Sequence, residues 1–158
     1  MKRFALALAL MAVASPAAAK PPRTPTQTIS FETGPCFGVC PVYRFHINSD
    51  GSGSFEGIRF TAFTGTRPFR ASSAQYRAFA HQLEPVRPRQ GSVRYEGRAC
   101  RSMATDLPST EVTWRSRRGT QSLYFYHGCD MQRNRALAER LNAAPGLLPI
   151  GDFIRPPR

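Results

Sequence analysis

From Pro41 the chain reads PVYRFHINSDGSGSFEGIRF, and Tyr43, Phe45 and Ile47 alternate with Arg44, His46 and Asn48. A period of two sends alternate side chains to opposite faces, so the pattern predicts a half-buried strand with Tyr43, Phe45 and Ile47 inward. DGSG at 50–53 is a hairpin turn signal, and SFEGIRF continues as the return strand. Upstream, TISFET (28–33) has the β-branched and aromatic residues of a strand, ended by Gly34 and Pro35. The stretch from Phe60 to Phe69 is turn-rich, with room for one further short strand.

The period then changes. In SSAQYRAFAHQLEPV, Tyr76, Phe79, Ala80 and Leu83 fall on one helical face, with Ser72 or Ser73 as N-cap. RPRQG (87–91) breaks that helix, and 92–108 reads as loop with at most a short strand around Val93 to Tyr95. STEVTWRS, an RRG turn and TQSLYFYHGC form a second hairpin. Asp130 is placed to cap a second helix, Met131 to Ala143, buried through Leu137 and Leu141. Leu147, Leu148, Ile150 and Phe153 in the tail are expected to pack back on the domain. The expected fold is α+β: a mainly antiparallel sheet of about five strands and two helices on one face, in the order β-β-β-α-β-β-α.

The N-terminus changes where this domain is expected to work. MKRFALALALMAVASPAAAK has a basic start, an apolar run from Phe4 to Ala14, a break at Pro16 and small residues at 17–19. That is a secretory signal, too short to span a bilayer, with cleavage after Ala19. The expected organisation is a signal peptide over 1–19, a Pro-rich tether over 20–27, one domain over 28–154 and a tail over 155–158. No second apolar stretch could cross a membrane, so the expected location is periplasmic or secreted. The whole chain carries a net charge of +12, and after cleavage Lys20 is the one lysine among the remaining basic residues. Arginine is the better residue for carboxylate and phosphate recognition. The arginines at 44, 59, 67, 70, 77, 87, 89, 94, 98, 101 and 115 lie in many segments and read as a diffuse solvated basic face. Export argues against nucleic acid as partner. An anionic envelope surface or a negatively charged protein is compatible with the charge. A monomer is expected.

Four cysteines remain in the exported chain: Cys36, Cys40, Cys100 and Cys129. An even number in an oxidising compartment argues for two structural disulfides. Nearness in sequence favours Cys36–Cys40 with Cys100–Cys129, and the two crossed pairings stay open. The loop CFGVC raises a second possibility, a thiol-redox or copper site using Cys36 and Cys40, with His127 as a further ligand. Against it, Cys40 is followed by Pro41 and a strand, so no helix N-terminus points at the thiol. A free catalytic thiol beside His127 is disfavoured by the even count. No paired-carboxylate, HExxH, GxSxG or phosphate-cradling signature is present, and no catalytic residue, metal or cofactor is predicted. Trp114 with Tyr124 and Tyr126 on the facing strand could form an aromatic ligand face, although a sheet face covered by a helix is the better explanation of such residues.

GPCFGVCPVYRFHINSDGSGSFEG resembles the opening of an exported bacterial domain-of-unknown-function family, DUF6438. The shared pattern is Cys-x-Gly-x-Cys-Pro-x-Tyr, then a strand, Asp-Gly and a return strand, here Cys36, Gly38, Cys40, Pro41, Tyr43, Asp50, Gly51 and Gly57. TDLPSTEVTW, with Asp106 and Pro108, is similar to its second half. The resemblance implies no activity and therefore no catalytic residues. The expected function is a non-catalytic binding or interaction module of the cell envelope, its partner an unidentified envelope component or protein.

Overall fold

Strand β1 (Gln27–Thr33) has a hydrogen-bonded neighbour on each side, β2 (Val42–Asn48) and β6 (Ser109–Ser116), and forms the centre of a single seven-stranded sheet. The computed structural model describes residues 26–155. The predicted signal segment, the tether through residue 25 and residues 156–158 lie outside the described residues. The remaining strands are β3 (Ser52–Arg59), β4 (Gly65–Arg70), β5 (Gly91–Tyr95) and β7 (Gly119–Tyr126), in the order β4-β3-β2-β1-β6-β7-β5. Three helices follow from the chain between and after them: α1 (Ser73–Leu83), α2 (Arg135–Ala143) and the single turn α3 (Gly151–Ile154).

The alternating pattern explains the layers. Phe31 lies opposite Phe45 on one side and Val112 on the other, and the row continues outward to Phe55 and Leu123. All five side chains are buried, and Phe31 stacks on Phe45 with ring centres 5.3 Å apart. Helix α1 covers this row, with Phe79 resting 5.7 Å from Phe45 and Leu83 fully buried beside it. Its start is a capping box: Ser72 Oγ accepts from the Gln75 amide, and Gln75 Oε1 accepts from the Ser72 amide. The opposite face carries the polar alternates. Thr66, Glu56, Arg44, Glu32, Glu111, Tyr124 and Arg94 form one row across all seven strands.

The expectation of about five strands and two helices is too small. The turn-rich stretch after Phe60 contains β4, and the stretch around Val93 contains β5. Strand β5 runs parallel to β7, which makes a mainly antiparallel sheet mixed. Both extra strands are edge strands with mostly exposed side chains, so neither shows the apolar alternation that marks the other five. The second helix begins at Arg135 and not at Met131. Asp130 cannot cap it because its φ is +43°, outside the extended conformation an N-cap adopts. The tail packs back through Ile150, Leu148 and Phe153, the last against Phe55 and Phe63, while Leu147 stays outward.

The central row sets the expected cost of disrupting it. Phe45→Ala should lower unfolding free energy by about 3–5 kcal/mol, the range for deleting a buried aromatic ring. The same change at the exposed Phe37 should cost less than about 0.5 kcal/mol. Urea denaturation of both variants checks the contrast.

Candidate functional site

Three loops meet at the end of the sheet where β1 stops and β6 begins. The first, residues 34–41, joins β1 to β2 and is closed by the Cys36–Cys40 disulfide, Cα atoms 5.8 Å apart. Thr33 brackets it: its hydroxyl donates to the Pro41 carbonyl at 2.9 Å and accepts from the Tyr43 amide at 3.1 Å. The loop is also tied sideways, by Gly34 N donating to Ser109 O at 2.8 Å and Phe37 N donating to Asp106 O at 3.1 Å. A Cβ at Gly34 would lie 2.2 Å from Ser109 Oγ, so a larger residue there would have to turn that hydroxyl aside, and Gly38 has a φ of +135° that side chains rarely adopt. Held this way, the ring turns its two apolar side chains outward: Phe37 is 89% exposed and Val39 72%.

The second and third loops, 96–108 and 127–134, are joined by the Cys100–Cys129 disulfide. Ala104 N donates to Gly128 O, and Asp130 N donates to Ser102 O, each at 2.9 Å. The Asp130 carboxylate accepts from the Arg101 and Ser102 amides at 3.1 and 2.8 Å. Those backbone donors hold its pKa below the ordinary carboxylate value. Asp130 is thus a clasp between loops. Met103 and Met131 project from them, 54% and 53% exposed. Of seven large apolar side chains exposed among the described residues, four (Phe37, Val39, Met103 and Met131) therefore sit on the loops of this one end. Single exposed apolar residues are ordinary, and among the described residues this end carries the larger share of them.

Beside these loops a hollow of about 540 Å³ opens between α2 and the ends of β6 and β7, lined by Leu107, Pro108, Phe125, His127, Met131 and Arg135 among others. His127 forms part of its wall. Its Nε2 lies 2.9 Å from Thr110 Oγ1, and its ring packs 4.8 Å from Phe125. Burial there pushes the imidazole pKa below its ordinary value.

The sequence-predicted residues separate into two groups. The cysteines pair as nearness suggested, Cys36 with Cys40 and Cys100 with Cys129, and none is free. His127 is engaged by Thr110, and among the described residues no group of three or more His, Cys, Asp or Glu side chains is placed to hold a metal ion. The chain leaves Cys40 for β2, so no helix begins at this cysteine. Trp114, Tyr124 and Tyr126 do not share a face. Trp114 is fully buried on the helix-covered side, in register with Ile29 and Gln121. Tyr124 lies on the open face under the Arg94 guanidinium, 4.0 Å from its ring centre, and Tyr126 Oη accepts from the Leu107 amide at 3.3 Å. The hairpin register decides this: Ser116 opposite Gly119 makes Trp114 face Gln121 and puts both tyrosines on the other side. Phe37 and Val39 were not predicted. The CFGVC stretch carries no periodic signal that fixes which way they face.

On the open sheet face a shallow trough of about 430 Å³ is lined by Ser30, Glu32, Arg44, His46, Glu56 and Glu111, with Arg44 bound to Glu56 at 2.7 Å. Glu32 and Glu111 in it have no salt-bridge partner among the described residues.

The family model described as domain of unknown function (DUF6438) matches residues 27–145, most of the chain. No curated protein matches it.

The wall position of His127 has a pH consequence. Its pKa is depressed in the folded state, so between the ordinary imidazole value near 6.5 and the lower folded value the unfolded chain binds more protons. Stability should therefore fall as pH drops from about 7.5 to about 5, and His127→Gln should flatten that decline. The carboxylates Asp50 and Asp130 are shifted below 3.8 and do not titrate in this window. Denaturation midpoints of both proteins at the two pH values test this.

Proposed function

The chain belongs to the DUF6438 family, and on that premise we propose that it is an exported, non-catalytic binding module whose disulfide-braced end engages a component of the cell envelope through Phe37 and Val39. The observation that carries the reading is the exposure of a phenylalanine on a ring that is closed covalently and tied to the start of β6 and to one neighbouring loop. Rigid aromatic anchors lose little conformational entropy on binding, and such side chains dominate interface energetics. Export is supported by the signal-like N-terminus and by two disulfides, which form and persist in oxidising compartments. Among the described residues no helix is long and apolar enough to cross a membrane.

A thiol-redox or copper-handling role for the loop is the second reading. It is favoured by the partial exposure of both Cys36 and Cys40, whereas in the second pair Cys100 is partly exposed and Cys129 fully buried. Both readings are tested on protein recovered from the periplasm. Retention on sedimented bacterial envelopes should fall at least about tenfold in the Phe37→Ser, Val39→Ser double variant, with an unchanged melting temperature. Retention equal to wild type sinks the binding proposal. Resistance of Cys36–Cys40 to mild reductant, with no copper carried through purification, sinks the redox reading; ready reduction or bound copper supports it.

A further inference from the structure

The end of the sheet opposite the cysteine loop has a different character. There the segment Arg87-Pro88-Arg89, which breaks the chain after α1, lies beside the β6–β7 turn that carries Arg117 and Arg118, because β5 runs parallel to β7 with Gly91 opposite Gln121. These arginines are about thirty residues apart in sequence and meet only in the fold. Two adjoining hollows result. One, about 560 Å³, is lined by Arg87, Arg89, Ser116, Arg118 and Gln121 among others. The other, about 340 Å³, is lined by Arg87, Ser116, Arg117 and Arg118 together with Thr26 and Gln27. Arg87 and Arg118 belong to both.

Arg87 is held in place before any ligand arrives. Its side chain is only 21% exposed, Nε and Nη2 donate to Gln121 Oε1 at 3.3 and 2.8 Å, and the guanidinium stands 5.9 Å from the Trp114 ring. The one carboxylate at the site, Glu84, is 3.6 Å from Arg87 Nη1 and is itself largely exposed. Arg89, Arg117 and Arg118 have no carboxylate partner among the described residues. Four cations with one carboxylate repel one another unless an anion joins them.

We infer that these paired hollows bind a ligand carrying two or more neighbouring phosphate groups. Guanidinium presents parallel N–H donors that match phosphate oxygens, and a fixed, partly desolvated arginine shared by two hollows suits a ligand with more than one such group. No aromatic side chain lines either hollow, so recognition rests on the anionic groups. The same chemistry is offered by a phosphorylated lipid headgroup and by a soluble oligophosphate. The site lies at the far end of β1 from Phe37, so it is independent of the loop proposal.

The test measures binding of the full-length exported protein to tripolyphosphate by calorimetry, and to phosphatidylcholine vesicles doped with cardiolipin by sedimentation. Arg117→Gln with Arg118→Gln should weaken binding at least about tenfold, since charge-assisted pairs are lost. Arg98→Gln with Arg101→Gln removes the same charge on the 96–108 loop at the other end of the sheet and should change it less than about twofold, because exposed charges beyond a Debye length are screened. All four positions are exposed, so the variants should fold. Binding to tripolyphosphate alone supports a soluble ligand, and binding to the vesicles supports a headgroup. Equal weakening in both double variants would show that only net charge attracts the anions, and absence of binding to either probe would overturn the site.

Discussion

The pairing of β1 with two neighbours at once is the constraint on which the rest of this molecule depends. Phe31 sits between Phe45 and Val112, and the apolar row runs on to Phe55 and Leu123. Slipping either neighbour by one residue would turn its apolar set out to solvent and bring charges such as Arg44 or Glu111 under α1. The row therefore sets register in both directions, and register in turn decides which loop emerges at which end. Fully burying each of these side chains is worth roughly 1.5–3 kcal/mol, so the row outweighs any surface ion pair in the sheet.

Both ends inherit their character from this arrangement. At the Thr33 end the loops are long, and they are held by covalent bonds and backbone ties instead of by burial of their own side chains. That division lets Phe37 and Val39 remain outside without loosening the sheet. At the Gln27 end a short turn and a helix-breaking segment come together, and their side chains are cationic. A strand of this length separates the two ends by roughly 20 Å. The domain thus presents exposed apolar side chains at one end and clustered arginines at the other.

Much of this was legible in the residues. The alternation of Tyr43, Phe45 and Ile47, the hairpin at Asp50-Gly51 and the face formed by Phe79 and Leu83 follow directly from period. The residues allow short strands at β4 and β5 without fixing them, because exposed strands carry no apolar period, and the parallel pairing of β5 is a tertiary fact. The start of α2 was misplaced because the residue favoured as a cap, Asp130, is used by its carboxylate to clasp the preceding loop. The aromatic face failed on parity: turn length alone would have put Trp114 opposite Gln121 and away from Tyr124. The arginine hollows could not be read at all, since Arg87 and Arg118 belong to segments joined only by the order of the strands.

The claim that β1 anchors a scaffold on which the loops are mounted is tested most directly by native-state hydrogen exchange, with and without selective reduction of Cys36–Cys40. The amides of Ile29, Phe31, Phe45 and Ile47 should exchange only through global unfolding and should keep their protection on reduction, while protection at Phe37 is lost. Exchange in β1 as fast as in edge strands β4 and β5, or collapse of β1 protection when that disulfide opens, would contradict the account.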